Sequence, residues 1–232
     1  MTKPVAVVVG VGPGLGSAVA RRFAAAGFAV AVARRRAEEL DGLAGEIGGK
    51  AYACDATEQD SVEALFAAVD GDLGAPQVVV YNAGAYTPGG ILDIDAADFV
   101  RCWRIGCLGG FHVGQAAAKR MVEAGAGTII FTGATASLRG SAKFANLAVP
   151  KFGLRALAQS MARELGPRGV HVAHTIIDGR IAGARLSHSA EARGEDAVLA
   201  PDAIAEAYYQ LHVQPRSAWT QELDLRPCME KF

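Results

Sequence analysis

The sequence predicts an α/β fold in which helices cover both faces of a doubly wound parallel sheet, with residues 1–232 forming a single domain. Two observations support this prediction. Short, unbroken runs of β-branched residues alternate with helical patterns, as expected for parallel strands that crossover helices bury on both faces. A glycine-rich segment, Gly10 to Gly16, joins the first of these runs to the first helical pattern.

Each apolar run is predicted to form one strand, because short apolar runs bounded by turn residues are typical of buried strands. In chain order the predicted strands are Val5–Val9, Phe28–Ala33, Lys50–Cys54, Gln77–Tyr81, Thr128–Thr132 and Val170–Ile176, with a last strand at Glu222–Leu225. In an open α/β sheet, ligands bind at the edge formed by the carboxyl ends of the strands. Functional residues are therefore expected directly after these strands.

Helices are predicted where apolar residues recur three or four positions apart. Two stripes show this spacing: Leu15, Val19 and Phe23 in the first helix, and Val62, Leu65, Phe66 and Val69 in a later one. Gly27 is expected just past the end of the first helix, and Thr57 is expected to be the N-cap of the later one. A further helix is predicted from Pro201 to about His212.

Composition excludes several classes of protein. Hydrophobic residues make up 51% of the chain, which excludes disorder, and 23 basic residues nearly balance 24 acidic ones, which argues against nucleic acid as a partner. The longest charge-free apolar stretch, Phe23 to Ala33, is far shorter than a membrane helix of about 20 residues. The N-terminus lacks the pattern of a secretory signal, so a cytoplasmic location is expected.

The four cysteines, Cys54, Cys102, Cys107 and Cys228, have no C-x-x-C spacing. A chain of this length can bury an ample core without disulfides. The cysteines are therefore interpreted as reduced thiols, and no metal site is predicted.

The segment Gly10 to Gly16 has the composition of a phosphate-binding loop. It follows a predicted buried strand and leads into a helix, and this context makes a glycine pattern much more specific. Gly10, Gly12, Gly14 and Gly16 would let the backbone turn tightly and approach a pyrophosphate, while the helix that starts near Leu15 offers unpaired N–H groups. The alternative is a plain turn between a strand and a helix.

The spacing Gly10-x-x-x-Gly14-x-Gly16 resembles that of the short-chain dehydrogenase/reductase family. Further residues match in the same order: Asp55 with Ala56 after the third strand, the turn Asn82-Ala83-Gly84 after the fourth, and Lys151 beyond the fifth. This resemblance implies a Rossmann-like domain in which the glycine loop cradles a dinucleotide and the segment at Asp55 holds its adenine. It also implies that the Asn82 turn stabilises the central opening of the sheet.

The residues after the second strand bear on which dinucleotide is bound. A carboxylate there would bond a ribose 2′-hydroxyl, whereas an arginine favours a 2′-phosphate. This chain has Arg34, Arg35 and Arg36. A guanidinium matches phosphate geometry, so NADP(H) is predicted rather than NAD(H), with Arg34 as the phosphate ligand and Arg35 behind it. Arg36 is interpreted as a solvated residue.

The catalytic pattern that the resemblance implies is incomplete. The family combines an asparagine, a serine, a tyrosine and a lysine four residues after the tyrosine. Lys151 is present, but Leu147 stands at the tyrosine position, Ala134 at the serine position and Gly106 at the asparagine position. Leu147 cannot donate a proton, so carbonyl reduction as the family performs it is not expected. Lys151 is expected to anchor the nicotinamide ribose.

Several side chains could replace the missing donors. Tyr86 lies on a loop after the fourth strand, and Thr135 and Ser137 flank Ala134. The other candidates are His174, interpreted mainly as a core residue, His188 in a predicted substrate loop over 180–200, and Arg139, which could bind an acidic group. Asp178 stands where the family has a proline-glycine turn; it could favour an oxidised nicotinamide or cap the next segment.

The leading functional hypothesis is an NADP(H)-dependent oxidoreductase that acts on a small organic substrate such as an activated alkene or an iminium. Two alternatives remain open: a non-catalytic protein that binds the cofactor as a sensor or scaffold, and a non-redox enzyme on the same scaffold. A homodimer or homotetramer is expected, because two long helices carry small residues that permit close approach. These are Ala116, Ala117 and Ala118 in one helix and Ala156, Ala158 and Ala162 in the other.

Overall fold

A computed structural model of the chain describes residues 3–183 and 197–229. Seven parallel strands form one sheet in the order β3-β2-β1-β4-β5-β6-β7. The strands are β1 Val5–Val9, β2 Ala29–Arg34, β3 Lys50–Ala53, β4 Pro76–Tyr81, β5 Gly127–Thr132, β6 Val170–Ile177 and β7 Glu222–Leu225. The predicted doubly wound α/β fold is therefore confirmed.

Helices cover both faces of this sheet. The α-helices are α1 Leu15–Ala25, α2 Asp41–Ile47, α3 Gln59–Asp72, α4 Ala96–Trp103, α5 Gly109–Ala124, α6 Ala145–Leu165 and α7 Pro201–His212. A π-helical turn, Arg104–Leu108, joins α4 to α5. Short 3₁₀ turns lie at Ala37–Leu40, Thr135–Ser137 and Gly166–Arg168.

Two apolar clusters pack on opposite faces of the sheet. One contains the α3 stripe, with Val62, Leu65, Phe66 and Val69 all at most 2% exposed, and the other contains Leu15, Val19 and Phe23 of α1. Alternate residues of β1 and β4 point into one cluster or the other, which is why these strands are continuous apolar runs. No helix among the described residues is both long and apolar enough to cross a membrane.

The strand boundaries agree with the sequence predictions to within one residue, and one other local prediction is wrong. Thr57 is not an N-cap: α3 is preceded by Glu58, and the Thr57 hydroxyl donates instead to Asp55 Oδ1 at 2.8 Å. Helix α6 begins at Ala145. Pro150 therefore lies in the second turn, where it cannot donate to the carbonyl of Asn146. Gly27 does follow the end of α1, with φ of +89°.

The order of the strands determines where a ligand can bind. From β1 the chain proceeds outward through β2 and β3, and it then returns to the other side of β1 to form β4. A crevice opens at the carboxyl ends of strands where the winding reverses in this way. The glycine-rich loop follows β1 and the turn at Asn82 follows β4, so both border this crevice.

The predicted substrate loop, residues 180–200, is described only at its two ends, and the rest, including His188, lies outside the described residues. The two ends pair with each other: Ile181 forms a parallel bridge with Leu199, and Leu199 N donates to Arg180 O at 2.7 Å. These contacts fix the base of the loop beside the carboxyl end of β6.

Candidate cofactor groove and active site

A groove of about 950 Å³ runs along the carboxyl ends of the central strands. Its lining includes most of the cofactor-binding residues that the sequence predicts. They are Gly10, Gly12, Arg34, Arg35, Asp55, Ala56, Asn82, Ala83 and Gly84. The structure thus brings together residues that are up to 74 positions apart in the chain.

Gly10 forms the floor of the groove and tolerates no side chain. Its φ is +88°, and a Cβ atom there would lie 2.4 Å from the backbone nitrogen of Ala83. The Asn82 side chain secures the same contact, because its Nδ2 donates to Gly10 O at 3.0 Å. The turn after β4 therefore holds the glycine loop in place. Asn82 consequently has a structural partner within the protein.

Gly16 brings helix α1 close to the loop, whereas Gly12 and Gly14 border open space. A Cβ at Gly16 would lie 2.8 Å from Val11 Cα, so only glycine permits this packing. A Cβ at Gly12 or at Gly14 would meet no atom within 4 Å. Gly12 lines the groove, so its missing side chain leaves open space beside the N-terminus of α1. Such a cradle suits the pyrophosphate of a dinucleotide.

Two residues at the start of α1, the predicted Leu15 and the unpredicted Ser17, do not line the groove. Leu15 is buried in the core cluster of α1 and does not line the groove, so its contribution to the site is the position of the helix N-terminus. Ser17, which the sequence analysis did not single out, donates from Oγ to Gly12 O at 2.7 Å. This hydrogen bond fixes the loop against the helix.

The arginines at the end of β2 and just beyond it, Arg34 to Arg36, line the groove. The Arg34 guanidinium is 2.7 Å from Glu39 Oε2, and Arg36 pairs with the other oxygen of the same carboxylate. Arg35 is exposed, lines the groove and has no ion pair within the described residues. The sequence did not indicate Glu39 as a partner, because long side chains on a turn can pair in many ways.

Asp55 is held in a fixed orientation after β3. Its Oδ1 accepts hydrogen bonds from both the backbone nitrogen and the hydroxyl of Thr57, and its own backbone nitrogen donates to Ser61 Oγ at 3.0 Å. Ala56 beside it is buried. This Asx-type turn presents the Asp55 segment to the groove.

Leu147 occupies the junction between the groove and a second cavity of about 440 Å³, and it lines both. One helical turn further along α6, Lys151 is buried, and its Nζ donates to Thr132 O at 2.6 Å. Nζ lies 3.8 Å from the position of a Cβ at Gly84, directly behind the groove lining. Burial lowers the pKa of Lys151 to about 8.

Thr135 and Asp178 bond each other at the wall of the second cavity. The Thr135 hydroxyl donates to Asp178 Oδ1 at 2.5 Å, and Arg226 Nη2 lies 3.3 Å from the other oxygen of that carboxylate. The Asp178 backbone nitrogen also donates to Leu225 O. Asp178 is only 3% exposed, so it ties the end of β6 to β7 and to Thr135.

A row of buried polar side chains lies behind the same wall of the second cavity. Ser137 Oγ accepts the backbone N–H of Ala134 at 3.1 Å and contacts His174 Nε2 at 3.3 Å, while His174 Nδ1 lies 3.2 Å from Glu222 Oε2. Desolvation lowers the pKa of His174 to about 4, so its ring is neutral at pH 7. His174 is thus a core residue with hydrogen-bond partners on both ring nitrogens, which agrees with the main interpretation from the sequence. Neither Ser137 nor His174 is exposed.

The position of Gly106 also has a structural explanation. Gly106 lies in the π-helical turn, and a Cβ there would be 2.8 Å from Pro150 Cβ, so this contact excludes a larger residue. The buried Tyr81 hydroxyl donates to the Ile105 carbonyl in the same turn. Desolvation raises the pKa of Tyr81, which makes its phenol a weak acid. The sequence did not indicate Tyr81 as a site residue, because a tyrosine at the end of an apolar strand is typical of a core position.

Tyr86 lies at the rim of the groove. Its ring stacks on Phe144 with centroids 4.9 Å apart, and its hydroxyl donates to Lys143 O at 3.2 Å. Phe144 lines the second cavity, so this stack joins the two openings. Of the three predicted catalytic residues, Tyr86 and Lys151 flank the groove, while Thr135 belongs to the second cavity.

The chain matches the family model described as short chain dehydrogenase over residues 4–189. It belongs to the short-chain dehydrogenase/reductase family, whose members are NAD(P)-dependent oxidoreductases. The resemblance that the glycine spacing, Asn82 turn and Lys151 indicated is confirmed at this level.

Relatives and solved structures agree with the family. The chain is 34% identical to the 3-oxoacyl-[acyl-carrier-protein] reductase MabA of Mycobacterium avium over 175 residues, which are 75% of this chain and 66% of that protein. A short-chain dehydrogenase from Rhodopseudomonas palustris is 41% identical with a TM-score of 0.83, covering 97% of this chain and 98% of the other. An alcohol dehydrogenase from Thermococcus sibiricus complexed with 5-hydroxy-NADP is 25% identical with a TM-score of 0.88, covering 99% and 98%.

Proposed function

We propose that this protein is an NADP(H)-dependent oxidoreductase whose reaction does not use a tyrosine four residues before the lysine as its proton donor. The observation that carries the proposal is the position of Leu147. It lies between the candidate cofactor groove and a separate cavity, where a reacting substrate would meet the nicotinamide. An aliphatic side chain at that point can pack against a substrate but cannot donate a proton to it.

The residues around the groove fit the cofactor. The cradle at Gly10 and Gly12 would hold the pyrophosphate, the Asp55 segment the adenine, and the guanidinium groups of Arg34 and Arg35 the 2′-phosphate. NADPH supplies a hydride when bound, and NADP⁺ accepts one. The solved relative with 5-hydroxy-NADP supports a phosphorylated dinucleotide.

Lys151 keeps a role in this arrangement. Its ammonium lies directly behind Gly84 and is held by the Thr132 carbonyl, so it places positive charge next to the lining of the groove. Cofactor hydroxyls at this point would accept a hydrogen bond from the same group. Since Thr135 donates to Asp178, its hydroxyl is already engaged within the protein.

The substrates that suit such a site are those that need no strong acid when hydride arrives. An iminium ion already carries the positive charge that the hydride neutralises. An activated alkene delocalises the negative charge away from a single oxygen and can take its proton from water. A simple ketone develops an alkoxide, and without a general acid the reaction loses a factor of about 10²–10⁴.

The test is NADPH consumption with matched substrates. Purified protein is incubated with NADPH and panels of cyclic imines, enones and simple ketones, and absorbance at 340 nm is followed. We expect turnover with members of the first two panels and little with simple ketones. Tight NADPH binding with no consumption in any panel would falsify the proposal.

A second candidate is a protein that binds NADP(H) without catalysis, as a sensor or scaffold. The engagement of the polar groups near Leu147 with partners inside the chain favours it: Lys151 bonds Thr132, and Thr135 bonds Asp178. This candidate predicts cofactor binding, a change in thermal stability on reduction of the cofactor, and no turnover in the assay above.

We also propose a symmetric homo-oligomer that pairs through the two predicted alanine helices, α5 and α6, together with α4. Of the predicted alanines, Ala116, Ala117 and Ala158 are at most 1% exposed and pack in the core, whereas Ala156 is exposed on α6. Larger exposed apolar side chains also project from α4, α5 and α6. They are Val100, Trp103, Phe111, Val149 and Phe152. Such a surface would be covered in a dimer.

The preference for NADP(H) is tested by replacing Arg34 and Arg35 together with serine. Each charge-assisted bond to a phosphate contributes about 1.5–3 kcal/mol, so the Kd for NADPH should rise about 10- to 100-fold or more while that for NADH changes little. Calorimetric titration with both cofactors measures this.

Arg36→Ser is the matched control, because the Arg36 side chain is 69% exposed, whereas that of Arg34, which pairs with the same carboxylate, is 30% exposed. It should leave the ratio of the two Kd values near that of the wild type. Glu39→Gln releases Arg34 from its carboxylate and should tighten NADPH binding. Equal loss of NADH and NADPH affinity in the double variant would contradict the assignment.

A further inference from the structure

The second cavity combines an apolar body with two arginines. Its apolar lining is formed by Phe144, Leu147 and Ile177 among others, and Arg139 and Arg180 belong to the same lining. Its volume of about 440 Å³ lies within the range of about 300–1,000 Å³ that is usual for small-molecule sites. The cavity adjoins the groove at Leu147, so it is the place for the substrate of the proposed function.

Backbone contacts fix where the two arginines stand. Arg139 N donates to Thr135 O at 3.3 Å, at the end of the 3₁₀ turn. Arg180 O accepts Leu199 N at 2.7 Å, at the base of the 180–200 segment. Both side chains therefore start from anchored backbone positions in the lining of one cavity.

Neither arginine has a carboxylate partner within residues 3–183 and 197–229. Five other arginines differ from them in this respect. Arg34, Arg101, Arg104, Arg120 and Arg155 each bond an aspartate or a glutamate. The described lining of the cavity also contains no acidic residue, and the nearby Asp178 is bonded to Thr135 and Arg226. The cavity thus carries two positive charges that nothing in the described structure balances.

We propose that the substrate is a small apolar molecule with a carboxylate group, and that Arg139 and Arg180 bind this carboxylate. The inference rests on the proposed function, since it names the class of compound that enters the site beside the cofactor groove. Guanidinium groups donate paired N–H bonds that match the two oxygens of a carboxylate. The apolar part of the molecule packs on Phe144 and Ile177.

Leu147 then has a defined task in substrate selection. With the carboxylate held by the arginines, the rest of the molecule extends along the apolar wall toward the groove. Leu147 contacts it at the point where the two cavities meet. An uncharged analogue keeps this apolar contact but leaves the guanidinium groups without their partner, so it binds more weakly.

The experiment measures binding without turnover. Isothermal titration calorimetry is carried out with 3-phenylpropionate and with 3-phenylpropionamide, which has the same shape and no charge, on the protein alone and after addition of NADPH. Neither ligand has a group that NADPH reduces. We expect the carboxylate to bind about tenfold or more tightly than the amide, as one charge-assisted contact provides.

Arg139→Gln and Arg180→Gln should each reduce this preference, and the double variant should abolish it. Arg168→Gln is the control, because Arg168 precedes β6 at the opposite edge of the sheet, and it should bind both ligands as the wild type does. Equal affinity for the two ligands, no binding of the carboxylate, or a preference that survives in the double variant overturns the proposal. NADPH consumption measured separately reports on the proposed function, so failure of one leaves the other intact.

Discussion

Leu147→Tyr should convert the protein into a reductase of simple ketones. A phenol at this position would stand one helical turn before Lys151, on the same face of α6, where a neighbouring ammonium lowers its pKa. A correctly placed general acid contributes about 10²–10⁴-fold, so the rate of NADPH consumption with a simple ketone should rise by a factor in that range. The side chain has room, because Leu147 lines two cavities rather than the core.

Leu147→Phe is the matched control, with the same added ring and no hydroxyl. It should reduce ketones no faster than the wild type, while both variants bind NADPH and unfold at similar denaturant concentrations. Ala134→Ser added to Leu147→Tyr should raise the rate further, because it provides a second hydroxyl at the developing oxyanion. Equal ketone reduction by the Tyr and Phe variants would show that the site is not organised as described.

Gly10→Ala should destabilise the protein and abolish cofactor binding. An alanine at φ of +88° is strained by roughly 1–3 kcal/mol, and its Cβ would overlap the Ala83 backbone, which must move. Displacing Ala83 also disturbs Asn82, whose side chain bonds Gly10. Urea unfolding should show a lower free energy of unfolding, and calorimetry should show no heat on NADPH addition at micromolar protein.

Two further alanine variants separate folding from binding. Gly12→Ala places its Cβ in open space beside the groove, so it should leave stability unchanged and weaken NADPH binding. Gly45→Ala, in the middle of α2 with no atom within 4 Å of its Cβ, should stabilise the chain by about 0.5–1 kcal/mol and leave binding intact. If Gly10→Ala is as stable as Gly45→Ala, the close contact with Ala83 does not exist in solution.

The parts of the fold that sequence analysis predicted well are those with one dominant physical cause. The strand Val5–Val9 is buried on both faces, so every residue had to be apolar, and its bounds were predicted without error. The positive φ of Gly10 and the close approach at Gly16 likewise restrict those positions to glycine. Such constraints act locally and leave a clear pattern in the sequence.

Features that depend on contacts between distant residues were not predictable. The pairing of Arg34 with Glu39 and the chain from Ser137 through His174 to Glu222 bring together side chains whose partners the sequence does not specify. Thr57 was misplaced because a carboxylate two residues earlier competes for its hydroxyl. The second cavity arises only when the 3₁₀ turn and the end of β6 meet.

Calorimetric titration of the protein with NADPH and NADH tests the central claim most directly. If the groove behind Leu147 binds a phosphorylated nicotinamide dinucleotide, NADPH should bind one molecule per chain with a dissociation constant of about 1–100 μM, and NADH should bind at least tenfold more weakly. No heat with NADPH under conditions where the protein is folded, or tighter binding of NADH, would contradict the account.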